Sequence, residues 1–285
     1  MQALWTLLAS AMFAIMGSFV KLAAEHQASM PQIVLFRGAP SVVVLLLWAH
    51  ARKLDLTPIA WRPHLIRNIT GVTSMWLGFY AIASLPLATA TSLTYTAPLF
   101  IAGWILVRGA AHRDPVCLVS VVLGFLGVLA VLQPSLSVQQ LVPAALGLVS
   151  GGLAAIAMMQ LRSLGRMREP EWRTVLIFSA IVVASSAIGL AIGDWGAADR
   201  VGWGSLLAVG VSGLVGQLAM TRAFGQGSAL LNAALQYTTI IFAALIGLGF
   251  WDESLDVIAV TGIVCVISAG LLSIWRTMRS DAPAR

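Results

Sequence analysis

What most constrains this chain is the spacing of its charges. Its 285 residues hold 17 Lys and Arg and 11 Asp and Glu, and these fall in bunches. Between the bunches run ten apolar stretches, over 3–22, 30–50, 65–84, 87–107, 115–133, 141–161, 174–193, 203–223, 229–250 and 256–275. Stretches of roughly 20 residues, coiled as helices, cross a hydrocarbon core about 30 Å thick. Soluble domains carry roughly 25% charged residues. This chain carries 10%, with 59% hydrophobic residues and a mean hydropathy of +0.91. A soluble enzyme, a secreted disulfide scaffold and a disordered chain are all excluded. A segment in lipid must satisfy its own backbone, so the expected fold is an all-α integral membrane bundle of ten transmembrane helices.

The charges also orient the bundle. With the amino terminus inside, 14 of the 17 Lys and Arg fall at inner loops and flanks, among them Arg52, Lys53, Arg62, Arg67, Arg162, Arg166, Arg168 and Arg173. Lys21 and Arg200 remain outside, and Arg37 lies within the second stretch. The outer ends hold Glu25, Asp194, Asp199, Asp252, Glu253 and Asp256. Such a bias places both termini in the cytoplasm. Eight tryptophans at span ends fit an interfacial belt. The net charge of +6 is thereby explained by topology, and no nucleic-acid partner is expected. The partners expected are the lipid bilayer and a small-molecule substrate. A monomer is compatible with the sequence, which leaves the oligomeric state open. The first stretch has no basic leader before it and reads as a retained helix, not a cleaved signal peptide.

Shifting the chain by 142 residues aligns Leu93, Tyr95, Thr96 and Phe100 with Leu235, Tyr237, Thr238 and Phe242. Span four thus falls on span nine, as a duplication of five spans requires. Because five is odd, the second copy enters from the opposite face, giving an inverted repeat that can open one central site to either side. The expected division is a first repeat at 1–133, an uncharged linker at 134–142, a second repeat at 143–276 and a tail at 277–285.

With these features the chain resembles the EamA-type transporters of the drug/metabolite transporter superfamily. The resemblance rests on the ten spans, the Phe36-Arg37 pair, the run from Ala88 to Phe100, its echo at 228–242, and Gly249-Phe250-Trp251-Asp252-Glu253. Where the second copy has Asp252-Glu253 the first has Ala110-Ala111, so that acidic pair has no symmetric role. Among members, the chain looks most like bacterial exporters of amino acids and related metabolites, YddG-like aromatic amino-acid exporters included. The resemblance implies a central cavity among spans 1, 3, 4, 6, 8 and 9, with 5 and 10 peripheral, in a bacterial inner membrane.

All 11 acidic residues lie in loops or at span ends, so a proton relay has no obvious residue and a facilitator or exchanger is the simpler mechanism. Arg37 either snorkels to a polar partner or acts as a gate or a partner for a substrate carboxylate. The polar and aromatic candidates for substrate binding are Trp76, Tyr80, Thr91, Tyr95, Met158, Gln160, Gln217, Asn232, Gln236 and Tyr237. Aromatic faces with amides and hydroxyls suit an amphipathic substrate, although polar side chains in bundles also serve as interhelical glue. Pro86 opens span four, and Pro98 should bend it at Thr94 by removing a donor. Span nine has Ile240 instead and should be straighter, with Gly225 and Gly227 loosening its start. These residues are the candidate hinges.

No catalytic constellation is present. Gly210-Val211-Ser212-Gly213 has the form of an intramembrane protease motif, but no histidine follows His112 to activate the serine. The sequence has no phosphate loop, metal cluster or nucleotide fingerprint, so ATP-driven pumping by this chain is excluded and no cofactor is expected. It therefore points to a carrier, not an enzyme, exporting small amphipathic metabolites, with aromatic or large neutral amino acids foremost. Alternatives are a carrier of cationic drugs or nucleotide-type anions and, in another class, a membrane scaffold or intramembrane enzyme.

Overall fold

Every regular element among the described residues of the computed structural model is helical. The structure describes residues 2–97, 99–100, eight positions between 116 and 130, and residues 137–193, 195–226, 232, 235–253 and 256–280. Its named helices are α1 (Gln2–Glu25), α2 (Met30–Ala51), α3 (Trp61–Ser84), α4 (Leu87–Thr94), α5 (Leu141–Arg166), α6 (Glu171–Ile192), α7 (Arg200–Gln226), α8 (Thr238–Trp251) and α9 (Val257–Ser280). Among the described residues there is no strand.

Helix ends follow local chemistry. Ser29 and Gln32 close a reciprocal capping box at the start of α2, with Pro31 in the first turn. α3 stops before Pro86, which forces Leu85 into extended backbone at φ −127° and ψ 163°. The chain reverses after α1, α2 and α5 through Gln27, Lys53 and Arg168, all at positive φ.

Five of these helices are long and apolar enough to cross a membrane: α1, α2, α5 with its leading 3₁₀ turn, α6 and α7. α3 has the length, but His64, Arg67, Asn68 and Ser74 are buried along it and lower its hydropathy. The end of span four, from 101 on, and most of span five fall outside the described residues. The molecule is built for an apolar solvent. Leu47, Ile69, Val211, Leu245 and Leu248 are exposed, whereas Gln32, Arg37, His64, Asn68, Gln217 and Asn232 are buried. That distribution inverts the soluble norm and suits a lipid-facing surface around a polar interior.

Among the pairings that build the bundle, α1 packs along α7, α3 along α5, α2 along α6, and α4 against α8. Glycines set the closest approaches. A Cβ on Gly38 would lie 2.9 Å from the Ser179 carbonyl of α6, and one on Gly151 would lie 2.9 Å from the Leu93 carbonyl of α4. The Gly210-Val211-Ser212-Gly213 motif has the same purpose. Gly210 meets Phe36 and Pro40, Gly213 meets Arg37, and the Ser212 hydroxyl donates to Ala208 of its own helix.

Both aligned Leu-x-Tyr-Thr segments interrupt a helix. α4 ends at Thr94 and the chain turns at Tyr95, while α8 begins at Thr238 directly after a turn at Tyr237. Thr96 Oγ1 donates to the Leu93 carbonyl at 2.8 Å, and Thr238 Oγ1 donates to the Leu235 carbonyl at 2.6 Å. A hydroxyl on a carbonyl three residues back competes with the helical ladder. The straighter span nine expected from Ile240 is thus corrected: it breaks in the same register as span four without a proline. Pro98 itself lies outside the described residues.

Candidate functional site

Residues from α1 to α8 enclose a cavity of about 1050 Å³, its open mouth included. α3 contributes a stripe at Arg67, Gly71, Ser74 and Gly78, positions spaced by three or four residues and so on one helical face. Phe13 and Met16 come from α1, Phe79 from α3 and Phe178 from α6, and they form an apolar wall. Besides Ser74, the uncharged polar groups are few: Thr91, Thr94 and Tyr95 at the break of α4, Ser150 on α5, Gln217 on α7 and Thr239 on α8. Ser74 and Ser150 lock α3 to α5, each hydroxyl donating to the other's backbone carbonyl at 2.9 and 2.8 Å.

Two guanidinium groups complete the lining. Arg37 is 2% exposed and donates from Nη2 to Gln217 Oε1 at 3.2 Å. Gly213 clears room for it, since a Cβ there would sit 2.6 Å from Arg37 Cδ. Arg67 is 4% exposed, lies 4.1 Å over the Phe178 ring and bonds Asn68 Oδ1 at 3.4 Å.

A carboxylate turned into the protein stands at each end of the bundle, Glu169 buried and Glu253 half-buried. Glu253 accepts the Leu87 backbone amide at 2.8 Å and forms an ion pair with Lys21, which lies 5.0 Å over the Trp251 ring. The Trp251 indole donates to Glu25 at 2.8 Å. Glu169 accepts the Ile59 amide at 2.8 Å and Arg173 Nη1 at 3.2 Å, with His64 Nε2 3.8 Å away. Arg173 also donates to the Asp55 carbonyl at 2.7 Å. These acids lie in loops, as the sequence implies, yet the fold turns them inward.

The family model of the EamA-like transporter family matches residues 1–133 and 141–275. The chain belongs to this family. It is a multi-pass membrane transporter, not an enzyme, as the sequence leads one to expect. Its relatives agree. The pseudopaline exporter CntI of Pseudomonas aeruginosa is 33% identical over 271 residues, covering 93% of each chain. An uncharacterised transporter of Helicobacter pylori is 28% identical over 279 residues, 93% of this chain and 92% of its own. A solved crystal structure superposes with a TM-score of 0.65 over 99% of this chain and 98% of its own, at 13% identity, which is a likeness of fold.

Within this EamA-like chain the expected site residues separate into two groups. Thr91, Tyr95, Met158, Gln217 and Arg37 line the cavity together. The others lie elsewhere. The Trp76 indole donates to Ser185 on α6 at 3.1 Å and fits against Gly189. Tyr80 is 42% exposed on the outer face of α3. Asn232 accepts from Thr6 at 2.8 Å and donates to the Ala223 carbonyl, tying α1 to the α7–α8 connection. Gln236 and Tyr237 are buried next to the α8 break, and Gln160 is half-buried on α5. Of the expected hinges, Pro86 precedes α4 directly and Gly225 meets Gly165 backbone to backbone; Gly227 lies outside the described residues. Arg67 and Ser74 join the site without having been among the candidates. Their signal is the 67, 71, 74, 78 spacing of polar and small residues, masked when Arg67 is read only as an inner-side topology charge.

Proposed function

We propose that this chain is an alternating-access carrier that exports small amphipathic metabolites from a bacterial cell across the inner membrane. Amino acids with aromatic or large apolar side chains, and their derivatives, are the class that its cavity suits. Ten spans in two inverted repeats, 1–133 and 143–276, with both termini cytoplasmic, form the machine. Supporting this, four of the packing pairs obey a two-fold rule: exchanging each span with the one five later turns the α1–α7 contact into the α5–α3 contact and leaves α2–α6 and α4–α8 in place. The two Leu-x-Tyr-Thr breaks repeat under the same operation. An inverted repeat of this kind lets one central site face either side in turn.

The observation that carries the reading is the cavity itself, enclosed by helices from α1 to α8 and lined by aromatic, amide, hydroxyl and guanidinium groups. Aromatic faces supply contact area and the polar groups fix orientation. No Asp or Glu lines it among the described residues, which disfavours cationic drugs and a proton site and favours a facilitator or exchanger. The name of the Pseudomonas relative, an exporter of a small metabolite, fits this direction. The test is uptake of labelled aromatic, large neutral and acidic amino acids by proteoliposomes of the pure protein, with and without pH and voltage gradients. Saturable uptake without an imposed gradient supports the proposal. Failure of every compound to enter, in protein shown to be folded, overturns it.

A further inference from the structure

The transport reading leaves a charge imbalance unexplained. Arg37 and Arg67 line one cavity from α2 and α3, both nearly fully buried, and their positive charges act on each other. Among the described residues, no carboxylate pairs with either. The acids turned into the protein are engaged elsewhere, Glu169 with Arg173 and the Ile59 amide, and Glu253 with Lys21 and the Leu87 amide. Arg37 Nε and Nη1 and Arg67 Nε are buried with no hydrogen-bond partner. An isolated buried cation is among the costliest groups a protein can hold, and two in one cavity repel. In the membrane interior such a group marks a ligand pathway by default.

We infer that the Arg37 and Arg67 guanidiniums form an anion clamp, and that the transported molecule carries net negative charge, its acidic groups held by both arginines. This rests on the reading above of a carrier for small amphipathic metabolites and, within that range, replaces neutral amino acids by acidic compounds. The chemistry is that of planar forks matched to carboxylate or phosphate oxygens, each offering paired N–H donors. Arg67 is stacked on Phe178 with its Nε unpartnered, and Arg37 is held by Gln217 and fits the Gly213 gap. A zwitterionic amino acid satisfies one arginine and leaves its ammonium facing a cavity without an acid. A dianion with an apolar body satisfies both, while Phe13, Met16 and Phe79 cover the body.

The test uses the full chain in nanodiscs, with binding measured calorimetrically for benzylsuccinate, phenyl phosphate and phenylalanine. The clamp requires that benzylsuccinate or phenyl phosphate bind about tenfold or more tightly than phenylalanine, the scale of one charge-assisted contact. Preference between these two anions reports whether carboxylate or phosphate geometry is favoured. Arg37→Gln and Arg67→Gln should each weaken anion binding about tenfold or more. Arg→Lys at either position keeps the charge without the fork and should fall between. The ligand-free Gln variants should unfold at the same temperature as the unaltered protein or higher, because a lone buried charge is removed. Equal or weaker anion binding relative to phenylalanine in the unaltered protein overturns the clamp whatever the variants do. So does unchanged anion affinity in both Gln variants. Anion binding without counterflow in proteoliposomes would retain the clamp and overturn transport. Transport of phenylalanine indifferent to both arginines would do the reverse.

Discussion

The Glu253 carboxylate accepts the backbone amide of Leu87 at 2.8 Å, tying the turn after α8 to the first residue of α4. The first amides of α4 after Pro86 have no carbonyl partner within the helix, and a carboxylate there satisfies one and complements the helix dipole. The same carboxylate neutralises Lys21 on α1, with both side chains about one-tenth exposed. Three segments thus meet at one acid, a latch on the side that the proposed topology places outside the cell.

Glu253→Gln keeps an acceptor for the Leu87 amide and removes the charge, stranding Lys21. The expected cost is about 3 kcal/mol, the scale for breaking one partner of a buried ion pair. It should be seen in chemical unfolding of the detergent-solubilised protein. Lys21→Met combined with Glu253→Gln should recover most of it. A Glu253→Gln variant as stable as the unaltered chain would show that no latch is made there.

Gly151 sits against the break in α4. A methyl group there would lie 2.9 Å from the Leu93 carbonyl and 3.2 Å from the Thr94 carbonyl, and would meet the Thr96 hydroxyl. Gly151→Ala should therefore destabilise by about 1–3 kcal/mol through overpacking, although alanine is the better helix former. Gly204, where an added methyl group would have nothing within 4 Å, is the control: Gly204→Ala should be neutral or slightly stabilising. Unfolding curves that rank the two the other way would contradict the geometry.

Outside the spans, Asp199 caps α7 by accepting the Gly202 amide at 2.8 Å and pairs with His26 Nδ1 at 2.8 Å. The Gly202 amide first, and His26 second, hold its carboxyl below the ordinary aspartate value of 3.8. A depressed carboxylate pKa gives stability that is full above that ordinary value and lost as pH falls through the lower folded one. Unfolding temperature should thus show an acid-limb loss that Asp199→Asn diminishes: the gap between the two proteins is constant near pH 7 and narrows as pH falls below the ordinary aspartate value. The effect should be small, because the pair is substantially exposed. A larger Asp199→Asn difference in the pH dependence above pH 5 than below pH 4 would contradict the assignment.

The cavity separates two tyrosines that the sequence treats alike. Tyr95 lines it, whereas Tyr80 faces outward. Tyr95→Ala should lower transport about tenfold or more, the scale of losing an aromatic contact with its polar handle, and Tyr80→Ala should leave it near normal. Initial rates in proteoliposomes decide this, and equal loss in both would return Tyr80 to the site.

That contrast marks how far the sequence is legible. Apolar length and charge bunching identify the helices, because lipid leaves the backbone no alternative, and the family follows from short motifs on them. The phase of one helix about its axis depends on its neighbours, so Trp76 and Tyr80, correctly grouped by spacing, cannot be aimed from spacing alone. Arg67 is hidden by a rule that counts arginines at span ends without asking which way they point. The α8 break is invisible to a rule that makes proline the breaker, while the repeated Thr96 and Thr238 hydroxyls accompany both breaks. Glu169 and Glu253 show that a loop acid is not necessarily a solvated one.

Whether one site faces the two sides in turn is tested most directly by trans-acceleration. Proteoliposomes containing the pure protein would be preloaded with an unlabelled compound from the panel that they transport, and uptake of the labelled compound followed at equal pH on both sides. Alternating access predicts saturable uptake that is faster with unlabelled substrate inside than with empty vesicles, since a loaded carrier returns as an exchanger. Uptake that rises linearly with concentration and ignores the internal substrate would contradict it, and would make the cavity a pore instead of a carrier site.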